Sequence, residues 1–234
     1  ADAELAKEDA AIAADVEDYT GAGSGSVDIW SGDGDKLVGA VPLNNDLILA
    51  FKQDSIHQVV ARTAPFPSFP LFMNVGAAGK NAIVNYQGMV YFITPKRRMK
   101  ATDGTQIQDF PPDMDDVWDS INAARVPYIQ GIHHQSIDHN ILIWLVSTGT
   151  NTTNDLAIVW DITHNSWWRY PTGYKANVMA ETLSGLLYAG HYNGKIYQKD
   201  TAAKYSDDSE STTTINGYWQ SGWQTQQSLQ ESIH

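Results

Sequence analysis

Apolar residues in this chain fall in short runs divided by turn-forming residues. Residues 47–51 (LILAF) and 56–60 (IHQVV) flank Lys52-Gln53-Asp54, and Asn44-Asn45 opens the pair. The arrangement recurs. Residues 81–86 (NAIVNY) and 89–93 (MVYFI) meet at Gln87-Gly88, and after Thr94-Pro95 a run over 97–102 ends on Asp103-Gly104. Residues 129–134 and 141–146 flank Asp138-His139-Asn140, and 155–160 (DLAIVW) and 166–170 (SWWRY) flank 161–165. Last come 186–188 and 195–199, on either side of His191-Tyr192-Asn193-Gly194. Asn-Gly and Asp-Gly between apolar residues accept the positive φ of tight turns, so the pairs predict antiparallel hairpins. Their recurrence every roughly 25 to 50 residues brackets the period of propeller blades.

Runs such as LILAF, MVYFI and ILIWLV are apolar on both sides, where a half-exposed strand would alternate. Blades stacked around an axis bury both faces of each sheet. The expected fold is therefore all-β, a β-propeller of short antiparallel blades. Four or five blade-like units can be counted, which makes a small propeller or part of a larger one; a β-sandwich is the second choice.

Two stretches depart from this pattern. Residues 2–16 are Ala-rich and acidic, with Leu5, Ile12 and Val16 as large apolar groups, and predict a short amphipathic helix that is exposed or docked elsewhere. Residues 111–121 predict a second short helix with an acidic first turn and one apolar face of Met114, Val117, Trp118 and Ile121. The polar segments 21–26 and 206–214 read as linkers or loop tips, and INGYWQSGWQTQQSLQ near the C-terminus as an extending strand. The expected division is an acidic N-terminal segment over 1–25, a propeller over 26–205 and a C-terminal extension over 206–234.

Composition narrows the function. The 234 residues include eight Trp and eleven Tyr, which argues against general disorder. No run approaches the roughly 18 apolar residues of a membrane span, and the acidic start does not resemble a secretory signal, so the expectation is a soluble chain without a membrane anchor. The formal charge of −12 disfavours gripping of nucleic acid. The one basic cluster, residues 95–100, reads as hairpin residues or a protein contact ahead of a phosphate site. With no cysteine, thiol chemistry and thiolate metal sites fall away.

Four groups of residues invite a chemical reading. His133, His134 and His139 suggest a metal site, but adjacent strand residues point to opposite faces. Asp33 and Asp35 between glycines, and Asp103-Gly104, suggest calcium loops, yet calcium takes six or more oxygens and these fit turns better. The acidic residues Asp113, Asp115, Asp116 and Asp119 could supply a glycosidase pair, but helix capping and a solvated face account for them. The sialidase-type turn S-x-D-x-G-x-x-W begins at Ser31 and Asp33 and then fails at Asp35 and Val38. Trp167-Trp168, Trp219 and Trp223 could stack on sugars, but consecutive strand tryptophans face opposite ways and fit interblade packing. No catalytic, cofactor-binding or metal-ligating residue is assigned, and no enzymatic activity is expected.

Several phrases occur in a fixed order: 32–59 (GDGDKLVGAVPLNNDLILAFKQDSIHQV), 74–104 (NVGAAGKNAIVNYQGMVYFITPKRRMKATDG), 139–170 (HNILIWLVSTGTNTTNDLAIVWDITHNSWWRY) and 186–200 (LLYAGHYNGKIYQKD). Within them lie an FK-x-x-SI phrase from Phe51 to Ile56, Gly76-Ala77, Tyr91-Phe92-Ile93, Asp161-Ile162 leading through Asn165 to Trp167-Trp168, and Asn193-Gly194 before Ile196-Tyr197. In this order the chain resembles the propeller-containing tail and head–tail structural proteins of tailed bacteriophages, of nozzle, plug or stabilisation type. The resemblance implies a virion component at the tail, assembling as a ring of identical subunits beside other tail or neck proteins, past which DNA moves without specific binding. It carries no catalytic residues. Relatives are longer, which implies a fragment or a minimal version, and the acidic N-terminal segment is not part of the pattern. A carbohydrate-binding propeller, serving as an adsorption module or lectin, is the alternative.

Overall fold

Each sheet of the computed structural model is made of strands consecutive in the chain. The structure describes residues 27–62, 66–110, 114–136, 140–170 and 176–199. Blade I comprises β1 (Leu37–Pro42), β2 (Leu47–Lys52), β3 (Ser55–Val60) and β4 (Ser68–Met73). Blade II comprises β5 (Ile83–Tyr86), β6 (Met89–Ile93), β7 (Met99–Thr102) and β8 (Ile107–Phe110). Blade III comprises β9 (Gln130–Gln135), β10 (Asn140–Val146), β11 (Leu156–Asp161) and β12 (Ser166–Tyr170). Blade IV has three described strands, β13 (Ala176–Glu181), β14 (Leu187–His191) and β15 (Ile196–Gln198). All pairings are antiparallel.

The first strands of successive blades touch in order: β1 meets β5, β5 meets β9, and β9 meets β13. The opening strand of every sheet is thus innermost and the later strands fan outward. The fold is a β-propeller of short antiparallel blades, and the sandwich alternative is set aside.

Side-chain alternation across each sheet explains the two-sided apolar runs. In blade III the transverse row Ile132, Ile143, Val159 and Trp168 faces blade IV, and the next row, His133, Leu142, Trp160 and Trp167, faces blade II. Leu49, Phe51 and Ile56 of blade I meet Ile83, Val90 and Phe92 of blade II, with the Phe51 and Phe92 rings edge to face at 5.0 Å. Complete burial of a side chain such as Phe51 stabilises by roughly 1.5–3 kcal/mol, so these interblade layers are the fold's main cohesion.

A short helix, α1 (Asp115–Ser120), lies in the connection from blade II to blade III and buries Val117 and Trp118 in the layer between them. Ile121 and Met114 join the same layer, as the apolar face predicts. At the β5–β6 turn, Gln87 and Gly88 both have positive φ (50° and 79°), the geometry that keeps a two-residue hairpin in line with strand twist.

Some boundaries differ from the expectation. Residues 80–82 form a 3-10 turn, so the strand expected from Asn81 starts at Ile83. The run expected from Arg97 starts at Met99, because Arg97 sits at a φ of 60° and its N–H closes a turn onto the Thr94 carbonyl. Strands β1, β4, β8 and β13 were not among the predicted runs. The expected N-terminal helix, both polar linkers and the C-terminal strand lie outside the described residues.

Candidate functional site

Interblade contacts extend beyond the side-chain layers. The Ala77 N–H donates to the Lys52 carbonyl at the end of β2 (3.0 Å), and the Ala78 N–H to the Ile93 carbonyl at the end of β6 (2.8 Å). Residues 76–78 thereby stitch blade I to blade II. A Cβ on Gly76 would run into the carbonyl oxygens of Lys52 and Gln53, so this seam closes only around glycine.

Behind blade I, on the face turned away from blade II, residues 28–36 form a strap over a buried polar cluster. Lys52, almost fully buried, pairs with Asp33 (2.6 Å) and donates to the Trp30 carbonyl (3.2 Å). Asp35 accepts from the Asp54 N–H (3.0 Å) and the Ser55 hydroxyl (2.7 Å). The Ser55 Oγ lies 3.1 Å from His57 Nε2. Because the Ser55 proton is directed to Asp35, His57 donates from Nε2, and its buried Nδ1 has no hydrogen-bond partner. The Trp30 ring closes over His57 edge-on at 5.4 Å. Burial, and then the Lys52 charge, push the His57 pKa below its ordinary 6.5, so the ring is neutral near pH 7. The hydrogen bond from Lys52 holds Asp33 below the usual carboxylate range.

Serine, histidine and aspartate therefore meet here, which sequence reasoning missed. Their order differs from that of a catalytic triad: the carboxylate binds the serine rather than orienting the histidine, and Ser55 and His57 are buried beneath the strap that carries Asp35. The cluster is a latch that fastens residues 28–36 to blade I. Its only sequence trace is the Asp33-Gly34-Asp35 turn, and its partners lie some twenty residues further along.

The basic cluster is a contact within the protein. Arg97 Nη1 donates to the carbonyls of Asp119 (2.9 Å) and Ile121 (3.0 Å) at the end of α1. Arg98 pairs with Asp119 (2.9 Å) and Asp115 (3.6 Å), and Lys100 pairs with Asp109 across β7 and β8. The acidic side of α1 thus faces these cations, and Asp115 and Asp119 are committed to Arg98. Next to this contact lies an open groove of about 680 Å³ between blades II and III, lined in part by Arg97, Asp119, Thr148, Asp155 and Arg169. Asp155 accepts from the Thr148 N–H (2.7 Å), the Thr148 hydroxyl (2.6 Å) and Asn151 (2.8 Å).

The remaining candidates separate in space. His133 contacts the Tyr86 ring and Asn140, while His134 points the other way, to Glu181 at 3.1 Å. His139 and Asp113 lie outside the described residues. Asp103 accepts from the N–H groups of Thr105 and Gln106 and folds its own turn. Trp167 packs with Trp160, Trp144, Trp118 and Phe110 in the layer between blades II and III, and Trp168 in the layer between III and IV. Trp219 and Trp223 are outside the described residues.

No protein-family model matches the sequence, and no curated protein matches it. Solved structures similar to this chain include the WD40 domain of Neurospora crassa Pan2, at TM-score 0.47 and 9% identity over 80% of this chain and 51% of that one. Another is the computationally designed protein Ika4, at TM-score 0.43 and 11% identity over 76% of this chain and 98% of that one. The chain thus spans about half the length of the Pan2 structure.

The exposed apolar groups are unevenly distributed. Of ten large apolar side chains exposed among the described residues, Trp30, Leu37, Phe69 and Met73 belong to blade I and its strap. Val178, Leu183, Leu186, Tyr192 and Ile196 belong to blade IV, and Tyr128 alone lies between. Among the described residues, the exposed large apolar groups thus collect in blades I and IV.

Proposed function

We propose that this chain is a structural component of a bacteriophage virion, at the tail or the head–tail connection, acting as a rigid propeller within an oligomeric ring. The observation that carries this reading is where the family-like phrases fall in the fold. FK-x-x-SI spans the β2–β3 turn, Gly76-Ala77 is the seam between blades I and II, and Tyr91-Phe92-Ile93 is the second half of β6. Asp161-Ile162 to Trp167-Trp168 makes the β11–β12 hairpin, and Asn193-Gly194 the turn into β15. The resemblance therefore lies in the scaffold, which suits a protein whose value is shape. A formal charge of −12 suits a neighbour of moving DNA, since like charge repels the duplex rather than holding it.

The test is a density map of the assembled particle together with mass spectrometry of purified virions. The expected result is the chain in stoichiometric amount at the tail; its absence from particles overturns the reading. A glycan array addresses the carbohydrate-binding alternative. Glycan binding that disappears on Trp167→Ala or Trp223→Ala would favour it.

A further inference from the structure

The groove between blades II and III holds positive charge that its own lining leaves unanswered. Asp119 of the lining pairs with Arg98 (2.9 Å), and the Asp155 carboxylate accepts from Thr148 and Asn151. The two arginines of the lining differ from these. Arg97 uses Nη1 for the carbonyls of Asp119 and Ile121, while its Nε and Nη2 have no hydrogen-bond partner among the described residues. Arg169 is exposed on β12 and has neither a hydrogen bond nor an ion pair among the described residues.

Local structure aims both arginines at the groove. Neighbouring strand residues alternate in direction, so Arg169, paired with Ile158, turns to the blade II side as Trp167 does, and Trp168 turns to blade IV. Arg97 comes from blade II, the other wall. It sits at a φ of 60°, a left-handed conformation that glycine adopts more easily, and the turn closed onto Thr94 holds it there. With Nη1 fixed to two carbonyls, its guanidinium is ordered before a ligand arrives, which lowers the entropy cost of binding. Capping of α1 explains Nη1 of Arg97, but not a second guanidinium in the same lining.

With Asp119 answered by Arg98, two guanidiniums stand against Asp155, an excess of one positive charge in the lining. A guanidinium fork matches carboxylate and phosphate alike. The aspartates of the lining repel a phosphate dianion more than a single carboxylate, so they favour the latter. The volume of about 680 Å³ exceeds what a bare carboxylate fills, and the groove is open, so a longer chain can lie along it past Ile121 and Leu156. We propose that this groove takes an extended acidic peptide segment of a partner protein, with a glutamate or aspartate carboxylate set between Arg97 and Arg169. The contact rests on the virion reading only for where that partner is found.

The test uses the full chain and a blocked peptide, acetyl-Gly-Leu-Glu-Leu-Gly-amide. Its glutamine counterpart, acetate and phosphate are compared at constant ionic strength. Binding is followed on the arginine Nε–H signals by heteronuclear NMR. The glutamate peptide is expected to shift the Arg97 and Arg169 signals saturably, and the glutamine peptide to bind about 10-fold or more weakly, the loss of a charged hydrogen bond. Arg169→Gln should weaken the glutamate peptide by a similar factor. Arg97→Lys, which keeps the charge but removes the planar fork, should weaken it too. Lys96→Gln, exposed on the same turn but outside the lining, should leave binding within about 3-fold. Circular dichroism checks that each variant is folded. No saturable shift with the glutamate peptide overturns the proposal, as does equal affinity for the glutamine peptide or an equal loss in Lys96→Gln. Acetate binding as tightly as the peptide would mark a site for a free small carboxylate, and phosphate displacing the peptide would mark a phosphate site; either overturns it. Peptide binding by a chain absent from particles would keep the groove and overturn the virion role, and a virion chain that binds no peptide would do the reverse.

Discussion

Blades I and IV bound the same series, yet they end it differently. Blade I is sealed by its own chain: the strap over residues 28–36 brings Trp30, Asp33 and Asp35 onto its back, and Ala50, His57 and Val59 beneath are buried. Blade IV presents Val178 and Ile196 to solvent on a face built like the buried face of blade III. The difference teaches that a blade is not a self-sufficient unit. Where central strands are apolar on both sides, as β10 and β11 are in blade III, each face needs a neighbour. Blade I meets this need with polar anchors around one aromatic ring, while on blade IV Val178 and Ile196 are exposed among the described residues.

The sharpest way to break this comparison is to remove the same kind of contact where a neighbour exists. Phe51→Ala, between blades I and II, is expected to lower unfolding free energy by about 3–5 kcal/mol in urea denaturation, the usual loss for a buried aromatic. A loss near zero would mean that interblade packing does not hold the fold. Gly76→Ala probes the seam. Its methyl group would meet two backbone carbonyls that cannot swing aside, and a cost of about 1–3 kcal/mol is expected from overpacking.

Acid sharpens the comparison at the sealed end. His57 faces Lys52 and Ser55, with Asp33 and Asp35 around them, and its pKa is depressed by burial first and by Lys52 second. The unfolded chain therefore takes up the proton first. Stability is intact above pH 6.5, the ordinary value, and falls as the pH drops below it, by at most about 1.4 kcal/mol per pH unit for one proton. Asp33, held low by Lys52, adds its loss only below about 3.8, so the two windows separate. Denaturation midpoints from pH 7.5 to 5 should show the slope in the wild type and lose it in His57→Phe; an equal slope in both would remove His57 as its cause. The smallest effect is at the open end. Ile196→Ala should change the stability of the monomer by less than about 0.5 kcal/mol, as exposed substitutions do. A loss of 2 kcal/mol there would mean that the face is already covered.

The hairpins that carry blade interiors were legible because their chemistry is local. β6 (MVYFI) and β12 (SWWRY) lie where the apolar runs and turn pairs predict, most others shift by a residue or two, and β14 runs three residues past its expected end to take in His191. The strands that escaped prediction open or close their sheets. β4 (SFPLFM) carries Pro70, which a strand paired on one side tolerates, and β8 (IQDF) is short and half polar. β1 (LVGAVP) combines Gly39 with Pro42, and β13 (ANVMAE) has no run of large apolar residues. The latch was illegible for another reason. Asp33, Asp35, Lys52, Ser55 and His57 each read as turn or strand residues, and only the strap's path over blade I brings them within hydrogen-bonding distance.

Sequence alone determined the antiparallel hairpins, the two-sided burial of their central strands and the opposite facing of neighbouring residues such as His133 and His134. These follow from backbone alternation and turn chemistry, which act over a few residues. Tertiary structure decided which faces meet: that Gly76 must admit two carbonyls, that the basic cluster is answered by α1, and that residues 28–36 are strapped over the back of blade I. Those outcomes depend on how sheets distant in the chain stack around an axis, and no pattern of neighbouring residues encodes that stacking.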